Sequence, residues 1–416
     1  MFSRLTLNSL WLLLARIGTQ VGMAFFTIIL AHQFGSAVFG EYTYIASIEV
    51  IGNVITTFGI DMLLVREIAA TDRLLYLFPA LVIQILLSII YIVIVLIVSI
   101  HLPNLDLNAV IALRIYSFSM VPLAFFTIFT TIIRGKQRMA SYASLILVLI
   151  ILQLTALFLL RLQGGGIIVL AILLLSVQVI GAILAGHLCQ FQIQFFSQPF
   201  LDLVRQLFYL IRICAPIAVL GLLGILYQRL SLIIILSLSG TTSTGDYSAA
   251  ARVVEAAKIG HVAIFTALYH LMAQVNATGK LNWASTFRLP ILVLLGGAIT
   301  ASFILSWLAK PSISILFGSG YISSVSPLQV LSWILVPYTI NSFRSLVFLA
   351  EDDVFIIMLS LMAGIITLVI LTIWLEPLMN LKGAAWAALF SESLQSLILI
   401  GRYFQRHCNI LIGSFN

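Results

Sequence analysis

The sequence predicts an all-α polytopic membrane protein with twelve transmembrane helices, and three observations support that fold class. Of its 416 residues, 62% are hydrophobic and only 8% are charged. A soluble domain of this length would need a charged surface, so lipid must surround most of the chain. The apolar residues fall into runs of membrane-spanning length, and Lys and Arg alternate between successive loops.

Each apolar run is long enough for a helix to cross the hydrocarbon, which takes about 20 residues. The connecting loops are short and leave no room for a soluble catalytic domain. Because the number of spans is even, both termini lie on the same side of the membrane. The predicted spans cover residues 8–32, 41–64, 74–100, 108–133, 139–161, 167–188, 212–238, 247–273, 289–308, 327–349, 354–375 and 383–402.

The distribution of Lys and Arg predicts which side that is. One set of loops holds twelve of these residues, and the other set holds only Arg161, Lys310 and Lys382. Cytoplasmic loops carry the excess of positive charge, so both termini are predicted to be cytoplasmic. This bias accounts for most of the net charge of +7 without a nucleic-acid partner. The first apolar run follows Arg4 and is too long for a cleavable signal peptide, so we expect it to be its own targeting signal.

Two turns predicted on the outer side of the membrane have similar sequences, which indicates an internal repeat. "FGSAVFGEY" (residues 34–42) and "SGTTSTGDY" (residues 239–247) lie 205 residues apart, about half the chain, and each precedes an even-numbered span. The repeat predicts two six-helix bundles, at residues 1–195 and 196–416. Since six is even, the bundles run parallel, and such a pair encloses a central cavity that can open to either side. The second turn lacks the Lys-Ser/Thr of a phosphate-binding P-loop.

Charged residues inside the predicted spans are the main functional signal. Arg229 lies ten residues from Ser239, where its span ends. That is about 15 Å along a helix, half of a hydrocarbon layer about 30 Å thick, so this cation cannot easily reach an interface. A charge at that depth costs about 2.5–3.5 kcal/mol on insertion scales. The embedded charges are Arg16, Glu49, Asp61, Arg114, Arg229, Arg252, Glu255, Lys258, Arg344 and Glu392.

Two interpretations of these charges stay open. One is structural: Arg252, Glu255 and Lys258 pair within one helix, Arg16 pairs with Glu49, and cations near span ends reach the interface. The other is functional: charges scattered over both halves imply a shared hydrated cavity, and the excess of cations implies an anionic cargo. Arg suits phosphate because its planar fork donates two parallel hydrogen bonds. The candidate cargo-binding residues are Arg16, Arg229, Arg252, Lys258 and Arg114.

The remaining motifs do not indicate catalysis or a bound metal. The three cysteines, Cys189, Cys214 and Cys408, are unclustered and are expected to be free thiols. No His, Cys and Asp residues have metal-ligand spacing, and no Ser/His/Asp set or carboxylate pair is typical of an active site. We therefore predict that the chain is not an enzyme and carries no cofactor beyond a coupling proton or sodium ion.

Several segments resemble one family across nearly the whole chain. They are "LAHQFGSAVFGEYTYIASIEVI" (30–51), "TTFGIDMLLVREIA" (56–69), "GILYQRLSLIIILSLSGTTSTGDYSAAARVVEAAK" (224–258), "SILFGSGYISSVSPLQVLSW" (314–333) and "LKGAAWAALFSESL" (381–394). In this order and spacing they resemble Wzx-type polysaccharide flippases of the MOP superfamily. One position departs from the family: Ser231 stands where an acidic residue often follows the "YQR" motif. Arg229 is then freer to meet cargo, and no acid stands at that position to carry a coupling ion.

The resemblance implies a MATE-like fold in the bacterial inner membrane. It also implies a flippase that moves undecaprenyl-diphosphate-linked oligosaccharide, as in O-antigen and lipopolysaccharide biosynthesis, from the cytoplasmic to the periplasmic leaflet. A periplasmic-side polymerase and a chain-length regulator would be its partners. The diphosphate would meet the cations, the sugars would need a wet cavity, and the polyprenyl tail would stay among membrane lipids. The candidates for proton or cation coupling are Glu49, Asp61, Glu255 and Glu392.

Three alternatives follow from the same residues. A MATE-type antiporter of cationic drugs should have an acidic, aromatic-lined cavity, which the excess of cations disfavours. A lipid II flippase would be similar but commonly has two further helices. A membrane-embedded glycosyltransferase or ligase would need large outer loops with catalytic residues, and the loops here are short.

Overall fold

The computed structural model describes residues 2–72, 74–102, 104–189, 200–277, 288–351 and 353–413, and no strand occurs within them. The first seven helices are α1 (Phe2–Thr57), α2 (Ile60–Thr71), α3 (Leu77–Val98), α4 (Leu107–Ser117), α5 (Met120–Gly135), α6 (Met139–Gln163) and α7 (Ile167–Leu188). The next seven are α8 (Phe200–Ala277), α9 (Arg288–Trp307), α10 (Ala309–Leu316), α11 (Val325–Leu331), α12 (Leu335–Ala350), α13 (Val354–Met379) and α14 (Leu381–Gly413).

Within these ranges, ten helical segments are long and apolar enough to cross a membrane. Two of them, Leu7–Thr57 and Leu201–Lys258, contain 51 and 58 residues. A straight helix of that length would measure about 77 or 87 Å, more than twice the hydrocarbon thickness. Each contains a glycine with non-helical backbone angles, Gly35 and Gly240. Divided at these glycines, the ten segments become twelve, which is the number of predicted spans.

Contacts across the two glycines show that the chain turns back there. Arg229 and Glu255 are 26 residues apart in α8, yet Nη1 and Oε1 lie 3.5 Å from each other. A continuous helix would separate them by about 39 Å. In α1, the rings of Phe26 and Tyr42 have centroids 5.8 Å apart, although 16 residues of helix would span about 24 Å. The multi-pass architecture predicted from the sequence is therefore confirmed.

The chain divides into two compact units. Unit 1 comprises Met1–Phe34 and Glu41–Ile225, and unit 2 comprises Gly35–Gly40 and Leu226–Asn416. In unit 1, Ile60, Leu64 and Ile68 line one face of α2 at a spacing of four residues and pack into a core shared with α3, α5 and α7. Leu210 and Cys214 from the first part of α8 also lie in that core. The predicted boundary between residues 195 and 196 lies outside the described residues and stays a prediction.

A proline explains a break inside the fourth predicted span. Pro122 has no N–H and cannot donate to the carbonyl of Phe118 four residues earlier. Val121 N donates to that oxygen instead, at 3.3 Å and three residues away. The helix is accordingly interrupted between Ser117, the last residue of α4, and Met120, the first residue of α5.

The two repeated turns adopt the same backbone conformation and pack against each other within unit 2. Gly35 has φ and ψ of 73° and 178°, and Gly240 has 78° and −172°, a region essentially restricted to glycine. The second glycines of the two motifs lie at the contact. A Cβ on Gly40 would collide with the carbonyl oxygen of Thr241, and one on Gly245 with that of Ser36. Since Ser36 and Thr241 are equivalent in the repeat, the contact is reciprocal, as expected for a duplicated segment.

Candidate functional site

Four of the charged residues of α8 form a basic cluster, which comprises Arg229, Arg252, Glu255 and Lys258. Arg229 precedes the turn at Gly240. The other three residues follow the turn and are spaced three residues apart. Glu255 lies at the centre: its Oε2 accepts a hydrogen bond from Arg252 Nη1 at 2.9 Å, and its Oε1 lies 3.5 Å from Arg229 Nη1. The predicted Arg252–Glu255 pair is thus present, and the turn adds Arg229 to it.

The basic cluster keeps a surplus of positive charge. Lys258 places its ammonium nitrogen 4.4 Å from the centroid of the Tyr338 ring, so part of its charge meets an aromatic face. Three cations therefore share one carboxylate. The side chains of Arg229, Arg252 and Glu255 are 15%, 24% and 39% exposed. The cluster is therefore partly buried, and each of these three side chains keeps some exposed surface.

Ser231 occupies the position at which the resembled family often has an acid. It is buried and lies next to Tyr247. No acidic residue stands there to neutralise Arg229, and Glu255 provides the neighbouring negative charge instead.

A second polar group in unit 2, the Glu392 network, is built from α8, α12 and α14. Glu392 is only 6% exposed. Tyr227 Oη donates to its Oε2 at 2.6 Å, and Asn341 Nδ2 donates to its Oε1 at 2.9 Å. Ser396 Oγ donates in turn to Asn341 Oδ1 at 2.8 Å. Both carboxylate oxygens are bonded to neutral donors, and Glu392 forms none of the described ion pairs.

In unit 1, Glu49 is the buried acidic candidate. It is 5% exposed, and its Oε2 accepts a hydrogen bond from Ser119 Oγ at 3.1 Å. Its Oε1 is buried without a hydrogen-bond partner. A charged carboxylate in this setting is costly, and uptake of a proton or a cation would remove that cost. Arg16 is exposed on α1, and the described ion pairs do not join it to Glu49.

The two remaining candidates of unit 1 have local partners. Asp61 Oδ2 lies 3.1 Å from Arg134 Nη2 in an ion pair whose side chains are each 25% exposed. Arg114 donates from Nε to Ser99 Oγ at 2.8 Å. Each of these two side chains thus has a polar partner within unit 1.

Sequence reasoning missed the neutral partners of the buried acids. Tyr227, Asn341 and Ser119 lie in apolar segments, and nothing in their spacing singles them out as partners of a carboxylate. It also missed Glu376, which is 2% exposed near the end of α13 and accepts a hydrogen bond from Ser239 Oγ. An acid directly after the predicted end of the eleventh span, at residue 375, was the available signal.

The described side chains contain no group of three or more His, Cys, Asp and Glu residues that could hold a metal ion. Cys189 and Cys214 are buried free thiols. Cys189 Sγ donates to the carbonyl of Phe129 at 3.0 Å, and burial raises the pKa of this thiol to about 11. Its thiolate is therefore scarce at neutral pH.

Solved structures with a similar fold are MOP superfamily proteins. An inward-facing multidrug resistance MATE family transporter has a TM-score of 0.71 at 12% identity, covering 95% of this chain and 94% of its own. The lipid II flippase MurJ in an inward closed conformation has a TM-score of 0.73 at 14% identity, covering 96% and 87%. A MOP superfamily transporter from Pyrococcus furiosus, for which a reversed polarity of the binding pocket suggests a different function, has 0.64 at 11% identity, covering 95% of both chains.

At these identities the likeness concerns the fold, which is the predicted MATE-like fold. No curated protein matches the sequence. The profile of one family, described as polysaccharide biosynthesis protein, matches residues 5–276. That stretch exceeds half of the 416 residues and includes the basic cluster, so the chain belongs to the polysaccharide biosynthesis protein family.

Proposed function

We propose that the chain flips an undecaprenyl-diphosphate-linked oligosaccharide from the cytoplasmic to the periplasmic leaflet of a bacterial inner membrane, by alternating access through a cationic cavity. Membership of a polysaccharide biosynthesis family supports a glycan cargo. The fold, shared with transporters and a flippase, supports movement across a membrane without catalysis.

The surplus of positive charge in the basic cluster is the observation that carries this proposal. Three cations around Glu255 repel one another, and a diphosphate would offset both that repulsion and their partial desolvation. The two guanidinium groups can each donate paired hydrogen bonds to phosphate oxygens. A cationic drug would meet repulsion at the same place, which disfavours the multidrug antiporter as the alternative.

Glu49 and Glu392 are the favoured carriers of a coupling proton or cation, because both are buried and neither forms a described ion pair. Two halves, 1–195 and 196–416, rock between inward-open and outward-open states, with both termini in the cytoplasm. A polymerase acting on the periplasmic side would consume the flipped product.

Replacing Arg229 by Ala is expected to abolish export while leaving the folded protein in place. Glu255 keeps its 2.9 Å bond to Arg252, so the loss of Arg229 leaves Glu255 paired. Arg229→Lys should restore export in part, since it returns the charge without the planar fork, and Arg229→Glu should restore none. The measurement is complementation of a deletion strain, with surface polysaccharide and inner-leaflet lipid-linked glycan quantified together.

The matched control is Arg161→Ala, because Arg161 is an exposed Arg at the end of α6. It should export normally at equal protein level. Normal export by Arg229→Ala would show that Arg229 is only a structural partner. Accumulation of lipid II, rather than an oligosaccharide repeat unit, in the deletion strain would instead support the lipid II flippase.

A further inference from the structure

Unit 2 contains an apolar groove whose lining includes no residue of the basic cluster or of the Glu392 network. Its volume is about 780 Å³, within the range of about 300–1,000 Å³ typical of ligand sites. We call it the Trp386 groove. Ile299 of α9, Trp333 between α11 and α12, and Trp386 and Phe390 of α14 line it. The Trp386 and Phe390 rings stack with centroids 5.5 Å apart, which gives the groove a flat aromatic wall.

The groove is as deep as one leaflet of a bilayer. Its lining on α14 runs from Lys382, in the first turn of the helix, to Ser393. Eleven residues of helix rise about 16 Å, close to half of a hydrocarbon layer about 30 Å thick. An acyl chain that enters beside Lys382 would therefore end near the depth of Ser393.

The charge of the groove lining is positive. Among the described residues that line the groove, Lys382 is the sole ionisable side chain, and Gln329 and Ser393 are the neutral polar ones. Lys382 is exposed, so its ammonium can lie at the membrane surface while its stem follows the apolar wall. A phosphate would meet this cation. The amine of a zwitterionic head group would find no carboxylate in the lining.

We propose that the Trp386 groove binds one anionic glycerophospholipid from the leaflet on whose surface Lys382 lies. The lipid phosphate accepts hydrogen bonds from the Lys382 ammonium, and one acyl chain lies against Trp333, Trp386 and Phe390. This inference does not depend on the cargo of the transporter.

The native tryptophans provide the test. The full-length protein is reconstituted in phosphatidylethanolamine vesicles that contain a fixed fraction of brominated phosphatidylglycerol or, in a parallel sample, the same fraction of brominated phosphatidylethanolamine. Bromine quenches tryptophan only on contact. Quenching that disappears in Trp386→Phe is assigned to the groove. We expect the anionic lipid to be favoured there by about five-fold, since a Lys near a membrane surface contributes that much.

Two variants distinguish specific binding in the Trp386 groove from nonspecific contact with bulk lipid. Lys382→Gln should make the two lipids quench Trp386 equally. Lys310→Gln should leave the preference intact, because Lys310 is an exposed lysine of α10 that does not line the groove. Equal quenching in the unchanged protein, or a preference that survives Lys382→Gln, would overturn the proposal. Unchanged size-exclusion profiles confirm that each variant is folded.

Discussion

Alanine at Gly40 or Gly245 is expected to destabilise the protein by about 3 kcal/mol, because either new methyl group would overlap a main-chain carbonyl. Intrinsic helix propensity predicts the opposite sign, since Ala is favoured over Gly by about 1 kcal/mol inside a helix. A carbonyl cannot change rotamer as a side chain can, so the overlap must be relieved by moving a helix end. The fraction of protein that stays folded on heating, followed by size exclusion, measures the effect.

Gly297→Ala is the matched control for these variants. Gly297 lies inside α9, and a Cβ there would have no neighbour within 4 Å. It should be neutral or slightly stabilising. The double variant of Gly40 and Gly245 should cost less than the sum of the single variants, because both act on one contact. A normal melting profile for Gly40→Ala would show that the two turns are not in firm contact.

Replacing Glu255 by Gln is expected to lower the amount of folded protein more than any single cation-to-neutral change in the basic cluster. Gln removes the carboxylate that Arg229, Arg252 and Lys258 share, and the mutual repulsion of these cations then rises. The cost should be about 2–3 kcal/mol, less than for a fully buried pair because Glu255 is 39% exposed. Thermal stability in detergent is the measurement.

A double change separates this structural effect from transport. Arg229→Gln combined with Glu255→Gln should recover part of the stability lost in Glu255→Gln, since one of the repelling cations is gone. It should not recover export, because the proposed phosphate ligand is also gone. If the double variant is less stable than Glu255→Gln alone, charge balance does not govern the cluster. If it exports normally, Arg229 is not a cargo ligand.

The span pattern could be predicted from the sequence because apolar length is a local property. The sixth predicted span, 167–188, coincides with α7. The similarity of residues 34–42 and 239–247 also predicted equivalent turns, since the positive φ at Gly35 and Gly240 favours glycine.

The partners of the buried charges could not be predicted to the same degree. Glu392 meets Tyr227 and Asn341 through contacts across 165 and 51 residues, which depend on how α8, α12 and α14 pack. The periodicity of the sequence places a side chain on one face of its own helix. It does not identify the residue of another helix that this side chain contacts. The Arg252–Glu255 pair was predictable because its two residues are three apart on one helix.

The reciprocal meeting of the two repeated turns has a genetic consequence. A bulky side chain can usually be accommodated by shrinking its neighbour, so most overpacked variants have second-site suppressors. Here the obstacle at each glycine is a peptide oxygen, which every amino acid carries. Selection for regained function after Gly40→Ala or Gly245→Ala should therefore return mainly codons for glycine, with few compensating changes at Thr241 or Ser36.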